Sequence, residues 1–356
     1  MRLVFLTSGL EPGRDGVGDY TTLLAETCRR KGCETLLIAL NDGFVRGIVE
    51  NEATVRCGPD VSWEERVRVI RERVQNFAPD WVSIQFVCYG FHAKGFAWKA
   101  ADRLRRMIGD RKVHLFFHEL WLGAERDAPL RDWAAGILQR LGVQRLFAKL
   151  DVSVVQTSNA GYLAVLRQHG VKATCLPLFG SVPLPLEDAM PADDGWTFGM
   201  FGTLHPVWPP RPLLDLLQAT GKRIRIEHAG HMGSGENLWQ RMGAQWPGIE
   251  FHAHGPQPSG ELARIFSRWN FGIATTPWEI IGKSASVAAL LDHGLPVIVN
   301  RDDAHYHGWR EEDYHPLLIK MSLDLGAKLD GLKRQQPDLL RPTITERFLA
   351  ALACVR

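Results

Sequence analysis

Strand-sized apolar runs alternate with amphipathic helical stretches from the first residues of this chain onward. Residues 2–7 are the first apolar run, and the loop 8–19 carries Gly9, Gly13, Gly16 and Gly18. Residues 20–31 predict a helix with Leu23, Leu24 and Thr27 on one face and Gly32 at its end. A second strand follows at 35–40. The alternation continues as helix 63–77, strand 81–86, helix 96–108, strand 113–117, helix 129–149, strand 152–156, helix 159–169 and strand 173–176. Strands separated by helices predict a parallel sheet covered on both faces.

Residues 177–194, PLFGSVPLPLEDAMPADD, break the rhythm and read as an interdomain linker. The pattern then restarts: strand 197–201, helix 212–220, strand 223–228, helix 236–245, strand 249–252, helix 259–269 and strand 271–275. In the stretch 275–300, TTPWEIIGKSASVAALLDHGLPVIVN, a turn at Gly282, Lys283 and Ser284 opens an Ala/Val/Leu-rich helix. That helix stops at Gly294, and a strand follows at 295–299. A last helix runs to 355, with Thr343 and Glu346 spaced as a capping box at its start. The expected fold class is α/β, with one Rossmann-like domain over 1–180, a linker at 181–195, a second Rossmann-like domain over 196–335 and a terminal helix within 336–356.

Composition narrows the function classes. The 356 residues are 45% hydrophobic and 23% charged with a net charge of +2, an even balance that does not indicate a nucleic-acid partner. The apolar runs are too short to span a membrane, and residues 3–6, with Glu11 close behind, are too short for a signal-peptide core. Six cysteines without a C-x-x-C spacing fit reduced thiols and a cytoplasmic location.

Ligands of parallel α/β sheets bind at the carboxyl ends of strands. Four such ends carry suggestive residues: Gly16/Gly18, His118/Glu119, 202–205 and 279–286. A helix opened by Gly282, Lys283 and Ser284 presents unpaired amides, a positive dipole end and a cation, which suits a diphosphate; the plainer alternative is an ordinary helix with Ser284 as N-cap. The glycine loop either lets backbone approach a ligand or is a surface turn. Its G-x-x-G-x-G spacing, far into a loop, argues against a dinucleotide site, although Asp42 ends the second strand. His118 is a candidate for orienting a sugar, Lys283 for stabilising a departing phosphate, and Arg211 for a second cation; a core histidine and a solvated helix-start arginine are the alternatives. Trp121 and Trp278 could stack on a sugar. There is no D-x-D pair, so no metal and no resident cofactor are expected. Arg103, Arg105, Arg106, Arg111 and Lys112 are candidates for peripheral contact with an anionic membrane, although Asp102 and Asp110 interrupt the run.

Several segments together resemble the GT-B glycosyltransferases, and most of all the retaining family-4 enzymes. PGRDGVGDYTTLLAETCRRKG is similar to the N-terminal Gly loop and helix, and FFHELW places His118 where the family has a histidine beside the transferred sugar. DVSVVQTSNAGYLAVLRQHGV, MFGTLHP, EHAGHMG, FHAHGPQPSGELARIF and GKSASVAALLDHGLPVIV resemble later family segments, so the likeness covers nearly the whole chain with diffuse motifs. It implies two Rossmann-like domains facing across a cleft, with a UDP- or GDP-sugar held mainly by the C-terminal one. A glycan, lipid-linked or small-molecule acceptor would then sit on the N-terminal one, with the last helix packing back on that domain. The implied donor-binding set is Gly16, Gly18, Thr203, Gly230, Gly255, Glu279, Gly282, Ser284, Ala285 and Ser286, beside the candidate catalytic residues His118, Lys283 and Arg211. The sequence also departs from the family. Its E-x7-E pair falls on Ile281 and Ala289, or on Glu279 and Val287, so the second glutamate is absent; Thr203 stands at the Arg position and Trp208 near the Lys. Three readings follow: a glycosyltransferase with a rebuilt donor site, a non-catalytic GT-B-like binding or partner protein, and a nucleotide-sugar epimerase.

Overall fold

The run RLVFLT forms the first strand and is buried along almost its whole length, as a central parallel strand must be. In the computed structural model, which describes residues 1–92, 94–185, 195–311 and 314–355, the chain divides into two units. The first comprises Met1–Pro177, His305–Arg310 and Arg341–Arg356, the second Leu178–Ala304 and Glu311–Leu340.

The elements of the first unit are β1 (Arg2–Thr7), α1 (Gly16–Arg30), β2 (Glu34–Ala39), β3 (Ile48–Glu50), β4 (Thr54–Cys57), α2 (Trp63–Phe77), β5 (Trp81–Phe86), α3 (Cys88–Phe91), α4 (Trp98–Ile108), β6 (Lys112–Phe117), α5 (Leu130–Lys149), β7 (Asp151–Thr157), α6 (Ala160–Gln168) and β8 (Thr174–Cys175). The second unit contributes β9 (Trp196–Phe201), α7 (Pro210–Ala219), β10 (Ile224–Ala229), α8 (Glu236–Gln245), β11 (Ile249–Gly255), α9 (Ser259–Ser267), β12 (Phe271–Ala274), α10 (Ala285–Asp292), β13 (Val297–Val299), β14 (Leu318–Lys320) and α11 (Leu325–Leu329). The last helix, α12 (Arg341–Ala353), belongs to the first unit.

The first sheet runs β3-β4-β2-β1-β5-β6-β7-β8, parallel except for the β3/β4 pair. The second runs β11-β10-β9-β12-β13-β14 and is parallel throughout. Both sheets bury apolar strands under helices, the Rossmann-like arrangement that alternation predicted. Its core in the second unit gathers Phe198, Met200, Trp208, Leu213, Leu217, Phe271 and Ile298.

Several local expectations need correction. Gly16 and Gly18 lie in the first turn of α1 rather than in a loop, because Asp15 caps that helix by accepting from the Val17 amide at 3.0 Å. The β3/β4 pair was not foreseen, and neither were α3, β14 and α11; all are short elements with little periodicity to read. Thr343 does not cap α12, which starts two residues earlier; Glu346 instead pairs with Lys31 of α1 at 2.5 Å. Phe348 on the same helix packs on Phe5 and His114. Of the proline-rich segment expected to be a linker, residues 186–194 lie outside the described residues. Its first part packs on α10: the Gly180 amide donates to Asp292 at 3.0 Å, the Pro183 carbonyl lies 3.0 Å from His293 Nε2, and Phe179 and Val182 are buried.

Candidate functional site

In the first unit the carboxyl end of β6 delivers His118, 7% exposed, against the rings of Phe116 (4.5 Å) and Tyr20 (5.3 Å). Tyr20 comes from α1, so the start of that helix borders the histidine. Close packing explains one of its glycines: a Cβ on Gly18 would stand 2.6 Å from the Gly9 carbonyl oxygen, whereas Gly16 faces open space. The preceding loop is clamped rather than free. Asp42 accepts from the Leu10 amide at 2.9 Å and pairs with Arg56 at 2.8 Å, which in turn reaches Glu11. Burial opposes the charge on Asp42, yet the Arg56 pair and the Leu10 and Phe44 amides hold its carboxyl below the usual range. A fully buried, paired Asp42 is a structural clamp.

A chain of buried hydrogen bonds fixes the His118 ring. His118 Nε2 donates to Gln85 Oε1 (2.8 Å), Gln85 Nε2 to Ser83 Oγ (2.8 Å), Ser83 Oγ to His114 Nδ1 (2.9 Å), and His114 Nε2 to Gln156 Oε1 (3.1 Å). This order leaves His118 Nδ1 as the lone-pair side of a neutral ring. Burial, with His114 adding to it, pushes the His118 imidazole down to about 3, and burial does the same to His114. The sign of the consequence is fixed. The folded state keeps both rings neutral while the unfolded chain protonates them below about pH 6.5. Their contribution to stability is therefore complete above about pH 6.5 and is lost as pH falls toward about 3, at up to about 1.4 kcal/mol per pH unit for each ring. Urea midpoints measured across that window should fall steadily with acid, and His114→Gln should flatten the slope by about one proton. An unchanged slope in the variant would exclude His114 as a source.

In the second unit three glycine turns at strand ends are stitched together. The Gly202 amide donates to the Ala229 carbonyl and the Gly230 amide to the Gly255 carbonyl, both at 2.9 Å, and all three glycines have positive φ. His228, fully buried, lies 2.7 Å through Nε2 from the Gly202 carbonyl and holds that turn. Thr275 Oγ1 donates to the Thr203 carbonyl at 3.1 Å. Beside these turns, α10 begins after a 3-10 segment, Trp278–Lys283, which contains Glu279 and Gly282. Ser284 is indeed its N-cap, accepting from the Val287 amide at 3.2 Å. The helix geometry leaves the Ala285 and Ser286 amides of the first turn without an intrahelical acceptor.

Thr203, Ser284 and Ser286 line one cavity of about 120 Å³, together with Gly202, His228, Thr275 and Thr276. That volume is well below the few hundred Å³ of a site for a drug-sized ligand, so it would enclose only one end of a nucleotide sugar. Lys283 ends the 3-10 segment just before Ser284 and does not itself line the cavity. Burial, then Arg301, hold the nearby His205 ring below its usual range, against the opposing pull of Asp303, with Lys283 adding a smaller push. Arg301 is itself 9% exposed, bonded to Asp303 at 2.7 Å and to the Thr275 carbonyl at 3.2 Å. His228 and Arg301 were missed as site residues, and His205 was picked out only as part of the strand end 202–205; the same rule also applies to Arg301, two residues past β13.

Other candidates are placed elsewhere. Glu279 is buried in the 3-10 segment, and Gly230 and Gly255 shape the turns without lining the cavity. Arg211, in the first turn of α7, is exposed, 3.7 Å from Asp215, and borders a separate hollow of about 310 Å³ with Trp208, Arg241 and Trp246. Trp121 is buried edge-on to His169, and Trp278 is buried against Tyr314, so both rings serve packing. Trp208 locks the loop after β9 by donating to Asn300 at 2.6 Å. The basic run is largely engaged: Arg103 lies over the Trp63 ring, Arg105 pairs with Asp110, Arg106 with Glu64, and Lys112 lies over Trp81. Among the described residues no three His, Cys, Asp or Glu side chains come together as metal ligands, and no helix is long and apolar enough to cross a membrane.

No protein-family profile matches the sequence, and no curated protein matches it. Among solved structures the chain is similar to Anabaena Alr3699/HepE in complex with UDP and glucose, at 14% identity over 99% of this chain and 100% of that one, with a TM-score of 0.61. It is similar to the apo form of the lipopolysaccharide outer core galactosyltransferase WaaB, at 12% identity over 99% and 97% of the two chains, also with a TM-score of 0.61. The catalytic domain of Starch Synthase IV from Arabidopsis thaliana, bound to ADP and acarbose, gives 9% identity over 100% and 99%, with a TM-score of 0.55. At such identities the likeness is one of fold, and that fold is the GT-B fold of glycosyltransferases.

Proposed function

We propose that this chain is a cytoplasmic glycosyltransferase that moves a hexose from a UDP- or GDP-sugar to a glycan, lipid-linked or small-molecule acceptor, with retention and without a metal. The observation that carries the proposal is the cavity at the ends of β9 and β12, where the first turn of α10 meets the Gly202–Thr203 turn. A phosphate there would receive the Ala285 and Ser286 amides at the positive end of the helix dipole. Lys283, with Arg301 and His205 close by, would offset the charge that grows on the departing diphosphate. In the first unit, neutral His118 would accept a hydrogen bond through Nδ1 from a hydroxyl of the transferred sugar, and that unit would hold the acceptor. The neighbours' bound UDP, glucose and ADP support this reading. Arg211 has no part in it, given its separate location.

A second reading has one observation in its favour. Val287 and Ala289, which stand where the second glutamate would be, are buried apolar side chains, so neither position supplies an acid. A protein that binds nucleotide without turnover would fit this arrangement.

Thermal melting with UDP, GDP, ADP and UDP-glucose separates the cases. A ligand at about a hundredfold its Kd adds about 2.7 kcal/mol to the stability of the folded state. Lys283→Ala should weaken that ligand by roughly tenfold, the worth of one charge-assisted contact. Binding without hydrolysis or transfer of any sugar would favour the second reading, and EDTA-sensitive turnover would remove metal independence. If none of the nucleotides raises Tm, both readings fail.

A further inference from the structure

Helix α5 is apolar on two opposite faces. Gly136, Gly142, Val143 and Leu146 are buried against the first unit. On the other side Leu130, Trp133, Leu138 and Leu141 are 85%, 57%, 53% and 38% exposed. At about 100° per residue these positions, with Ala134 between them, fall on one stripe along the helix. A surface helix of a globular unit needs only one apolar face, and a second, contiguous one marks an interaction surface. The patch continues onto α4. Trp98 is 49% exposed and sits beside α5, with the Arg145 guanidinium 5.1 Å from its ring.

Charge decides what covers the patch. Arg131, Arg140, Arg145 and Lys149 border the stripe, whereas Asp132 is the only acid on the helix. Asp102, on α4, tempers the belt through Arg145 at 2.9 Å and Lys149 at 4.0 Å. Exposed Lys99 adds to it next to Trp98 on α4. An apolar stripe edged by cations, with an indole ring at its margin, is complementary to an anionic lipid surface: the leucines enter the acyl boundary, the indole sits at headgroup level and the cations meet phosphate. A second copy of the chain fits less well. In a twofold interface this face would meet itself and oppose two belts of the same sign.

We propose that α5, with Trp98, docks this protein on an anionic bilayer, lying in the interfacial plane. The proposal stands apart from glycosyl transfer and replaces the engaged run at 103–112 as the membrane-facing surface. Flotation of the whole chain with phosphatidylcholine vesicles, with and without phosphatidylglycerol, tests it. Binding is expected only to the vesicles containing phosphatidylglycerol, and added salt should weaken it. Leu138→Glu combined with Leu141→Glu, which remove the stripe, should lower the partition coefficient by about tenfold or more. Arg140→Glu combined with Lys149→Glu, which leave the stripe intact, should lower it by about tenfold. Both double variants should keep the parental Tm. Absence of flotation, or flotation that neither variant weakens, would overturn the proposal. So would a dimer in light scattering that the leucine variant dissolves, coupled with no vesicle binding.

Discussion

If this chain carries out the proposed sugar transfer, His118→Ala is expected to lower its kcat by about 10²–10³-fold, the usual cost of losing one preorganised hydrogen-bonding group at the reacting centre. The ring is held by Gln85 at 2.8 Å, and it is neutral because burial pushes its pKa down to about 3. A neutral ring with Nε2 committed to Gln85 offers only the Nδ1 lone pair, so it can accept from a hydroxyl but cannot supply a proton near neutral pH. Two consequences separate this role from a structural one. On the proposed reading, in which the second unit holds the nucleotide, nucleotide affinity should stay within a small factor of wild type, because His118 lies in the first unit. The rate should also lack an acidic limb near about pH 6.5, where an ordinary histidine would titrate. Truncation also leaves Gln85 Oε1 unpaired at about 1–3 kcal/mol, so Tm should fall while the chain remains folded. A folded variant with unimpaired kcat would show that His118 is a packing residue.

Gly199→Ala is expected to cost the second unit about 3 kcal/mol or more, and to lower its melting temperature by roughly 10 °C. Gly199 lies in β9, paired on one side with β10 and on the other with β12. A Cβ there would stand 1.8 Å from Cε3 and 2.1 Å from Cδ2 of Trp269. The indole cannot swing aside cheaply: it is fully buried, its Nε1 donates to Glu227 at 2.8 Å, and its ring stacks on Phe266 at 4.8 Å. Calorimetric melting reads the loss, and the pair Gly199→Ala with Trp269→Leu should lose less than the sum of the two single changes. Full additivity would mean that the sheet yields instead of the ring.

Much of the architecture was legible before the coordinates. Helices α2 and α8 and strand β5 fall where periodicity and composition placed them, because each is long enough for one side of its pattern to show. The β3/β4 pair escaped because its strands have only three and four residues and lie at the edge of the sheet, where five of their seven side chains are not buried. The beginning of α1 was set too late because glycines usually argue against a helix; Asp15 capping and the close approach of Gly9 to Gly18 override that preference. Ser284 shows the converse: one residue could be read both as helix cap and as part of an anion site, and the structure shows that it caps α10 and also lines the cavity.

The sequence by itself determined two successive α/β patterns, the strand ends where polar residues gather, and the helix start at Ser284. Each of these is local, decided by a period or by a cap spanning a few residues. Only the tertiary structure decided which of the candidates meet. Thr203, Ser284 and Ser286 share a cavity while Arg211 faces a different hollow; Gln85 and Ser83 from one strand fix a histidine beyond the next; and α5 keeps an apolar face uncovered. These are contacts between residues far apart along the chain. They depend on strand order and register, which pairwise spacing in a single sequence does not encode.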